Sequence, residues 1–512
     1  MFISPLNIDF GNEITLPLSK SESNRALMIA FYSEIQKNKN SKTQNETNIE
    51  TWCLGDLVTS LSTSDDTVLL KNLLNKINRY VKNCEQSLLT LDCHNAGTVF
   101  RFLMTAAAIQ FTIHNSQFTI LLTGSDRMKQ RPIDSLVDAL RSIGISIEYT
   151  EKEGFPPILI KSPTIETPTD GTDLHRFCVF PKNMSDVSRN TLESPTDDTD
   201  LHGCYSSETD TRDLRRLEIS VEQTSQFASS LLLAAPLWKN GLELYLTGNL
   251  SSLPYIDMTI NMMKYCGIDV ERNERIVKVN SGKYNCDAIK IEPDWSAAAF
   301  WYEIVALSDK SEVLLKNLNI NSLQADAVAM KMFQALGVET IAVKKGIVIR
   351  KAKGKSLKST AKVQQPKFNS QSSTFNFQLS TFNFQHCPDL FPAVIATCAG
   401  LGIDAEFSGL KNLSIKESDR KKAMMNELKK INVSFEEISD DELKMFCPDE
   451  LPCFTEENPI IFNNYDDHRI AMALSILSMK IGAISMENTE VVSKSYPRFF
   501  EEFTIKFQNL KT

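Results

Sequence analysis

Four short stretches of this chain set basic residues at the start of an apolar run. They are Lys20-Ser21-Glu22-Ser23-Asn24-Arg25, Asn95-Ala96-Gly97-Thr98 with Arg101, Lys416-Glu417-Ser418-Asp419-Arg420, and Asp466-Asp467-His468-Arg469. A helix start already offers unpaired backbone N–H groups and the positive end of the helix dipole. A purely structural start favours Asp, Glu or Ser over a cation. Cations at four such starts therefore describe anion binding, with several negative groups on one or two substrates.

Spacing refines each stretch. Arg101 follows Thr98 by three residues, so the two share a helix face one turn inside the start at Gly97, where a missing side chain lets a ligand approach the backbone. Lys416 and Arg420 are four apart and share a face if helical, with Glu417 beside them. Arg420 is in line with Met424 and Leu428, which directs it toward packing. His468 and Arg469 open the apolar run Ile470–Ile481, where an unpaired cation is costly. A lone histidine there is more often structural, so His468 is a secondary candidate. Singly, a salt-bridged arginine or a solvated charged turn accounts for each stretch, and the turn suits Lys421-Lys422. Four together point to a site.

These residues must be held by helices, and the helices fall into two kinds. One kind is amphipathic and ends at a Gly or Asn suited to the left-handed conformation, with a strand directly after. Gly144, Gly267, Gly337 and Asn432 mark four such ends; Asp66–Tyr80 and Ser495–Phe507 are weaker copies. The other kind is apolar almost all round, hence buried, and starts near Ser23, Thr98, Ser225, Asp294, Asp389 and Asp467. Short alternating strands such as Leu242–Leu246 and Ile347–Arg350 complete each unit. Gly267 and Gly337 are 70 residues apart, a plausible unit length. Six α/β units divided between two similar domains is the expected architecture.

Composition sets the bounds. A chain of 512 residues exceeds one core, and two domains of about 200–250 residues are expected. The net charge of −9 argues against nucleic acid as a partner and makes the cationic starts stand out. No stretch reads as a signal peptide or a bilayer span; the apolar run Ser229–Trp238 is short and broken by Pro236. Eleven cysteines without a CxxC pair read as reduced thiols in a cytoplasm. The six histidines show no zinc spacing, so neither metal nor cofactor is expected. Three segments interrupt the pattern: 36–51, 162–213 and 364–385. The first two are polar and read as solvated insertions. The third repeats Ser-Thr-Phe-Asn-Phe-Gln at 373–378 and 380–385 and is expected to pair as an edge hairpin or to aggregate.

The ordered motifs resemble a known family, 5-enolpyruvylshikimate-3-phosphate synthase. The resemblance rests on Leu18-Ser19-Lys20-Ser21 with Asn24-Arg25, and on Asn95-Ala96-Gly97-Thr98 with Arg101. It continues through Leu122-Thr123-Gly124 to Arg131-Pro132-Ile133, Ser225-Gln226-Phe227 and Pro254-Tyr255-Ile256-Asp257. Lys416-Glu417-Ser418-Asp419-Arg420, Asp467-His468-Arg469-Ile470-Ala471-Met472 and Lys494-Ser495-Tyr496-Pro497 complete it. It implies an α/β, two-domain inside-out barrel fold of six βαβαββ units, three per domain. One domain would take residues 1–20 and 292–512 and the other residues 21–291, with crossovers near Lys20 and Glu292. The implied reaction moves the enolpyruvyl group of phosphoenolpyruvate to the 5-hydroxyl of shikimate 3-phosphate by addition and elimination. Ser21, Arg25, Thr224, Ser225, Ser252, Tyr255, Asn412 and Lys416 would hold shikimate 3-phosphate. Lys20, Arg131, Arg420, Arg469 and Lys494 would clamp phosphoenolpyruvate, with Gly97 lining its pocket and Gln226 touching both substrates; Asn95, Thr98, Arg101 and His468 would also bind substrate. Asp389 would take the hydroxyl proton, and Glu417, with Lys20, would serve the enolpyruvate carbon. A monomer is expected.

Two positions depart from the family pattern. Thr224 stands where Ser is frequent and keeps the hydroxyl; Phe102 stands where better-known members carry Pro, so the local helix geometry is expected to differ. Two rival readings were weighed. The related UDP-N-acetylglucosamine enolpyruvyl transferase carries a loop cysteine where this chain has Asp126, and an Asn where it has Ser21. An inactive binding homologue would be expected to lose acids, bases or cations, and all are present.

Overall fold

Helices that are apolar on every side need burial on every side, and the computed structural model provides it. It describes residues 2–3, 12–38, 58, 60–83, 88–113, 119–161, 215–250, 253–309, 311–352 and 380–508. Six buried helices run Lys20–Asn38, Gly97–Ile113, Gln226–Ala234, Trp295–Leu307, Phe391–Leu401 and His468–Ile476. The first three pack on one another, and so do the last three. Buried apolar side chains accordingly form two cores. One gathers residues from Ala26 to Ile291; the other takes Ile14 and Leu16, then residues from Trp295 to Phe503.

The amphipathic helices alternate with these. Asp134–Ser142, Leu253–Tyr265, Ala329–Ala335 and Arg420–Lys429 are followed by Gly144, Gly267, Gly337 and Asn432, with φ of 89°, 78°, 82° and 66°. That left-handed turn reverses the chain into a strand within two or three residues, the connection that the Gly and Asn positions predict.

Four of the five sheets share one pattern. Leu88–Asp92, Thr119–Thr123, Ile158–Lys161 and Ser146–Tyr149 lie in that order, the first pair parallel and the others antiparallel. The same order and senses recur in Arg215–Ser220, Leu242–Thr247, Ile276–Val279 and Val270–Asn273. Asn12–Ile14, Glu312–Lys316, Gly346–Lys351 and Val338–Val343 repeat them, as do Ser380–Asn383, Ala405–Ser408, Leu443–Phe446 and Ser434–Glu437. The fifth sheet joins Phe2–Ile3, Ile484–Met486 and Ile460–Phe462. Among the described residues no sheet closes on itself, and the buried helices fill the centre of each core.

Three further expectations change. Residues 380–383 are not part of an insertion: they form a strand parallel to Ala405–Ser408. Its two-residue period buries Phe382 and, just beyond, Phe384, which meets Phe391 edge-on at 5.3 Å. It does lie at a sheet edge, but residues 353–379 fall outside the described residues. The 36–51 segment begins inside a helix, where the Gln36 amide donates to the Gly282 carbonyl (2.7 Å) and accepts from the Tyr284 N–H (3.0 Å); residues 39–57 and 162–214 are outside the described residues. Cys266 and Cys286 form a disulfide, against the expectation of thiols throughout. The chain after Val279 returns past the end of helix Leu253–Tyr265, and the Asn285 N–H bonds the Cys266 carbonyl at 2.9 Å. No described helix is long and apolar enough to cross a membrane.

The two cores are joined by two adjacent chain segments. Leu18 pairs with Pro293, the Ser19 N–H donates to the Glu292 carbonyl, and the Asp294 N–H donates to that of Pro17, both at 2.8 Å. Glu22 is buried in this joint and accepts the Glu292 N–H at 2.8 Å. Burial, with the nearby Glu292 and Asp294 charges behind it, pushes the Glu22 carboxyl up to about 7 despite that bond. A raised carboxyl pKa gives stability that is complete below the unfolded value and lost as pH rises through the folded one. Glu22→Gln should therefore gain on the parent by about 3 kcal/mol between roughly pH 4.5 and 7.5. Denaturant unfolding at both pH values checks this; a pH-independent difference would refute it.

Candidate active site

All six buried helices begin at one cavity. Its wall includes Lys20 and Ser21, Gly97 and Thr98, Thr224 to Gln226, Asp294 and Ser296, Pro388 and Asp389, and Arg469. Arg25, Arg131, Tyr255, Asn412, Lys416 and Glu417 line it too. Both cores contribute, so the cavity lies between them.

The wall from the second core is a network of opposite charges. Asp389 Oδ1 meets Arg420 Nη1 at 2.7 Å and Lys416 Nζ at 3.5 Å, and its Oδ2 meets Arg469 Nη2 at 2.9 Å. Glu417 meets Arg420 Nη2 at 2.8 Å and Lys494 Nζ at 3.5 Å. Arg420 is fully buried and also binds Asp467 at 2.7 Å. Burial alone would push both carboxyls up. For Asp389 the neighbouring Arg469, Lys416 and Arg420 win, and for Glu417 Lys494 and Arg420 do, so both stay well below the usual carboxylate range. Lys20, 3.1 Å from Asp66, is lowered by burial but raised more by Asp66 and Glu417, so it holds its proton.

The first core presents cations of another kind. Among the described residues Arg25, Arg101 and Arg131 form no ion pair. Arg25 is held by neutral oxygens: Thr259 Oγ1 at 2.7 Å, the Ser21 carbonyl at 2.8 Å, the Tyr255 carbonyl at 3.1 Å and Ser229 Oγ at 3.3 Å. Burial brings its guanidinium down to about 10. The Phe102 ring, fully buried, lies 5.9 Å from that guanidinium, behind the wall. Arg101 donates to Gln226 Oε1 at 2.6 Å, and Gln226 Nε2 donates to Thr98 Oγ1 at 2.7 Å, which ties two helix starts together. Burial, then the neighbouring Arg131 charge, lowers Arg101. Two guanidiniums forced together away from water make a strong anion site.

Gly97 explains how they fit. A Cβ there would stand 2.4 Å from Arg131 Nη1 and 2.7 Å from Arg101 Nη1. The missing side chain makes room for two guanidiniums, where the sequence suggested room for a ligand against the backbone.

Two readings of the motifs need correction. Lys416 and Glu417 precede the helix, which starts at Arg420. Lys416 and Arg420 therefore meet through Asp389, not by sharing a helix face. His468 is fully buried, and neither ring nitrogen has a hydrogen-bond partner among the described residues, Nδ1 lying 3.9 Å from Asp467 Oδ1. Burial, then Arg469 and Lys20, drives its pKa well below the usual value, so it is a neutral residue and not a cation at a helix mouth. Arg101, Arg420, His468 and Lys494 stand behind the wall. The Asn95 carbonyl accepts from Lys494 at 3.3 Å, and Ser252 is outside the described residues.

Comparison with known proteins agrees with this geometry. The family model described as EPSP synthase (3-phosphoshikimate 1-carboxyvinyltransferase) matches residues 9–174 and 201–503. The chain belongs to the EPSP synthase family. It is 30% identical over 492 residues to a 3-phosphoshikimate 1-carboxyvinyltransferase of Bacteroides fragilis, covering 96% of this chain and 93% of that protein. A Haemophilus influenzae protein of the same name is 27% identical, with 98% and 97% covered. The solved structure of an EPSP synthase from Acinetobacter baumannii shares the fold, with a TM-score of 0.61, 18% identity and coverage of 99% and 98%.

In this member of the EPSP synthase family the cavity also uses residues without a motif signal. Asp66, in the first turn of the helix Asp65–Lys82, reads as an ordinary acidic helix start, yet it pairs with Lys20. Asp294 caps its helix through the Ser296 and Ala297 N–H groups. Asp326 bonds the Ser296 hydroxyl, and burial, then Asp389, pushes it up to about 7. Asp66 and Asp326 depend on partners 46 and 30 residues away, whereas the Asp294 cap is local. Gly97→Ala should displace Arg131 and Arg101, raising the KM for the anionic co-substrate by about 10-fold or more while thermal stability stays near the parent's. Steady-state kinetics with a melting curve checks this; an unchanged KM would mean that the guanidiniums move aside freely.

Proposed function

We propose that this chain transfers the enolpyruvyl group of phosphoenolpyruvate to the 5-hydroxyl of shikimate 3-phosphate and releases phosphate. Family membership and the name carried by its relatives support the reaction. The observation that carries the chemistry is the pairing of two ionised carboxylates, Asp389 and Glu417, with a charged Lys20 on one cavity wall set.

In this reading Arg25, Ser21, Thr224, Ser225, Ser252, Tyr255, Asn412 and Lys416 hold shikimate 3-phosphate. Arg131, Arg420, Arg469 and Lys494 hold phosphoenolpyruvate, supported by Arg101, Gln226 and Gly97. Asp389 takes the 5-hydroxyl proton as that oxygen bonds to C2 of phosphoenolpyruvate, and Lys20 delivers a proton to C3. The tetrahedral adduct then expels phosphate, and Glu417 takes a proton from the new methyl group to restore the double bond. Bound anions compete for Arg420 and Lys494, which loosens their hold on Glu417 and makes it a better base. The fold in this reading is six related units in two domains, working as a cytoplasmic monomer. The UDP-amino-sugar alternative is disfavoured by Asp126 and Ser21.

Purified protein should release phosphate only when both substrates are present, without added metal or nucleotide. Turnover with a UDP-amino sugar in place of shikimate 3-phosphate would contradict the assignment. Glu417→Gln keeps the shape but not the proton transfer, and should lower kcat by about 10²–10⁴-fold with substrate binding nearly unchanged. A rate within a few-fold of the parent would remove Glu417 from the proton path.

A further inference from the structure

Arg127 touches neither the cavity nor another site side chain, yet it spans the two halves. Its Nε donates to the Glu417 carbonyl at 3.2 Å, and its Nη2 to those of Lys416 at 3.0 Å and Ser414 at 3.2 Å. The acceptors are three of four successive residues in a stretch without regular structure, between the turn Lys411–Leu413 and the helix starting at Arg420. That stretch carries Lys416 and Glu417. A turn at residues 414–415 gives way to bends at 416–418, and the guanidinium supplies bonds that a ladder would otherwise give.

The other end of the contact is anchored. Arg127 sits in the one-turn helix Asp126–Lys129, capped by Ser125 Oγ accepting the Met128 N–H, with Met128 fully buried. Four residues on is Arg131, whose guanidinium lies over Gly97. One short rigid segment therefore presents Arg131 from the first core and grips the backbone beneath Lys416 and Glu417 from the second.

We propose that Arg127 is a positioning residue that sets Glu417 and Lys416 against Arg131 by clamping the carbonyls of residues 414–417. This rests on the transfer reaction proposed above. A planar guanidinium can serve three carbonyls at once, whereas an ammonium is a single point charge.

The test uses the full chain with Arg127→Met and Arg127→Lys. Removing the clamp should lower kcat/KM for phosphoenolpyruvate by about 10–100-fold, mostly through kcat. Of the residues assigned to shikimate 3-phosphate only Lys416 is on the clamped run, so calorimetric affinity for that substrate alone should fall by no more than about threefold. Lysine should rescue only a small part. Lys411→Ala, which breaks the exposed cross-half pair with Glu222, should leave kinetics unchanged. Hydrogen exchange of the free protein should speed up at residues 411–419 in Arg127→Met and nowhere in the helix Gly97–Ile113. Kinetics of Arg127→Met within about threefold of the parent, full rescue by lysine, or faster exchange through that helix would each overturn the proposal. Failure of the parent to release phosphate would count against the reaction instead, and the exchange comparison, which needs no turnover, would still decide the clamp.

Discussion

A helix that is apolar around its whole circumference can meet water only at its ends. This constraint organises the molecule. Three such helices form the centre of each core, and their starts are brought to one face. The two faces meet at the cavity, so six sets of unpaired N–H groups point into one space before any side chain is considered. The surrounding sheets and amphipathic helices cover the rest of the apolar surface.

Anion binding at such a place needs buried cations, and these are costly without partners. The chain handles this differently on the two sides. The second core neutralises Arg420, Arg469, Lys416 and Lys494 with Asp389, Glu417 and Asp467. The cations thereby hold Asp389 and Glu417 below the usual carboxylate range. The first core instead holds Arg25 and Arg101 with neutral oxygens, so their charge is available to a ligand. One side holds carboxylates ion-paired with its cations, and the other holds guanidiniums that form no ion pair among the described residues.

The halves are tied at the joint between Leu18 and Pro293 and again across the cavity rim, through Arg127 and through Lys494 with Asn95. Motion between the cores would therefore change the distance between Arg131 and Glu417 directly. This gives the geometry of the site a mechanical origin in a few backbone carbonyls.

The sequence alone determined the kinds of helix, the turns that end them, and the four cationic starts, because these depend on residues within one or two turns. Left-handed Gly144, Gly267, Gly337 and Asn432 are local facts of that sort, as is the burial of Ile470–Ile476. Tertiary structure decided the partners. That Asp66 holds Lys20, that Asp326 stands beside Asp389, and that Arg127 grips residues 414–417 could not be read from spacing, since these pairs are separated by tens to hundreds of residues. The state of His468 followed the same rule: burial, with Arg469 and Lys20 behind it, drives its pKa well below the usual value. Gly97 was legible as a special position, and only the packing of two guanidiniums against it showed why. Local stereochemistry is written in neighbouring residues; charge and proximity across the cavity depend on how two cores close on each other.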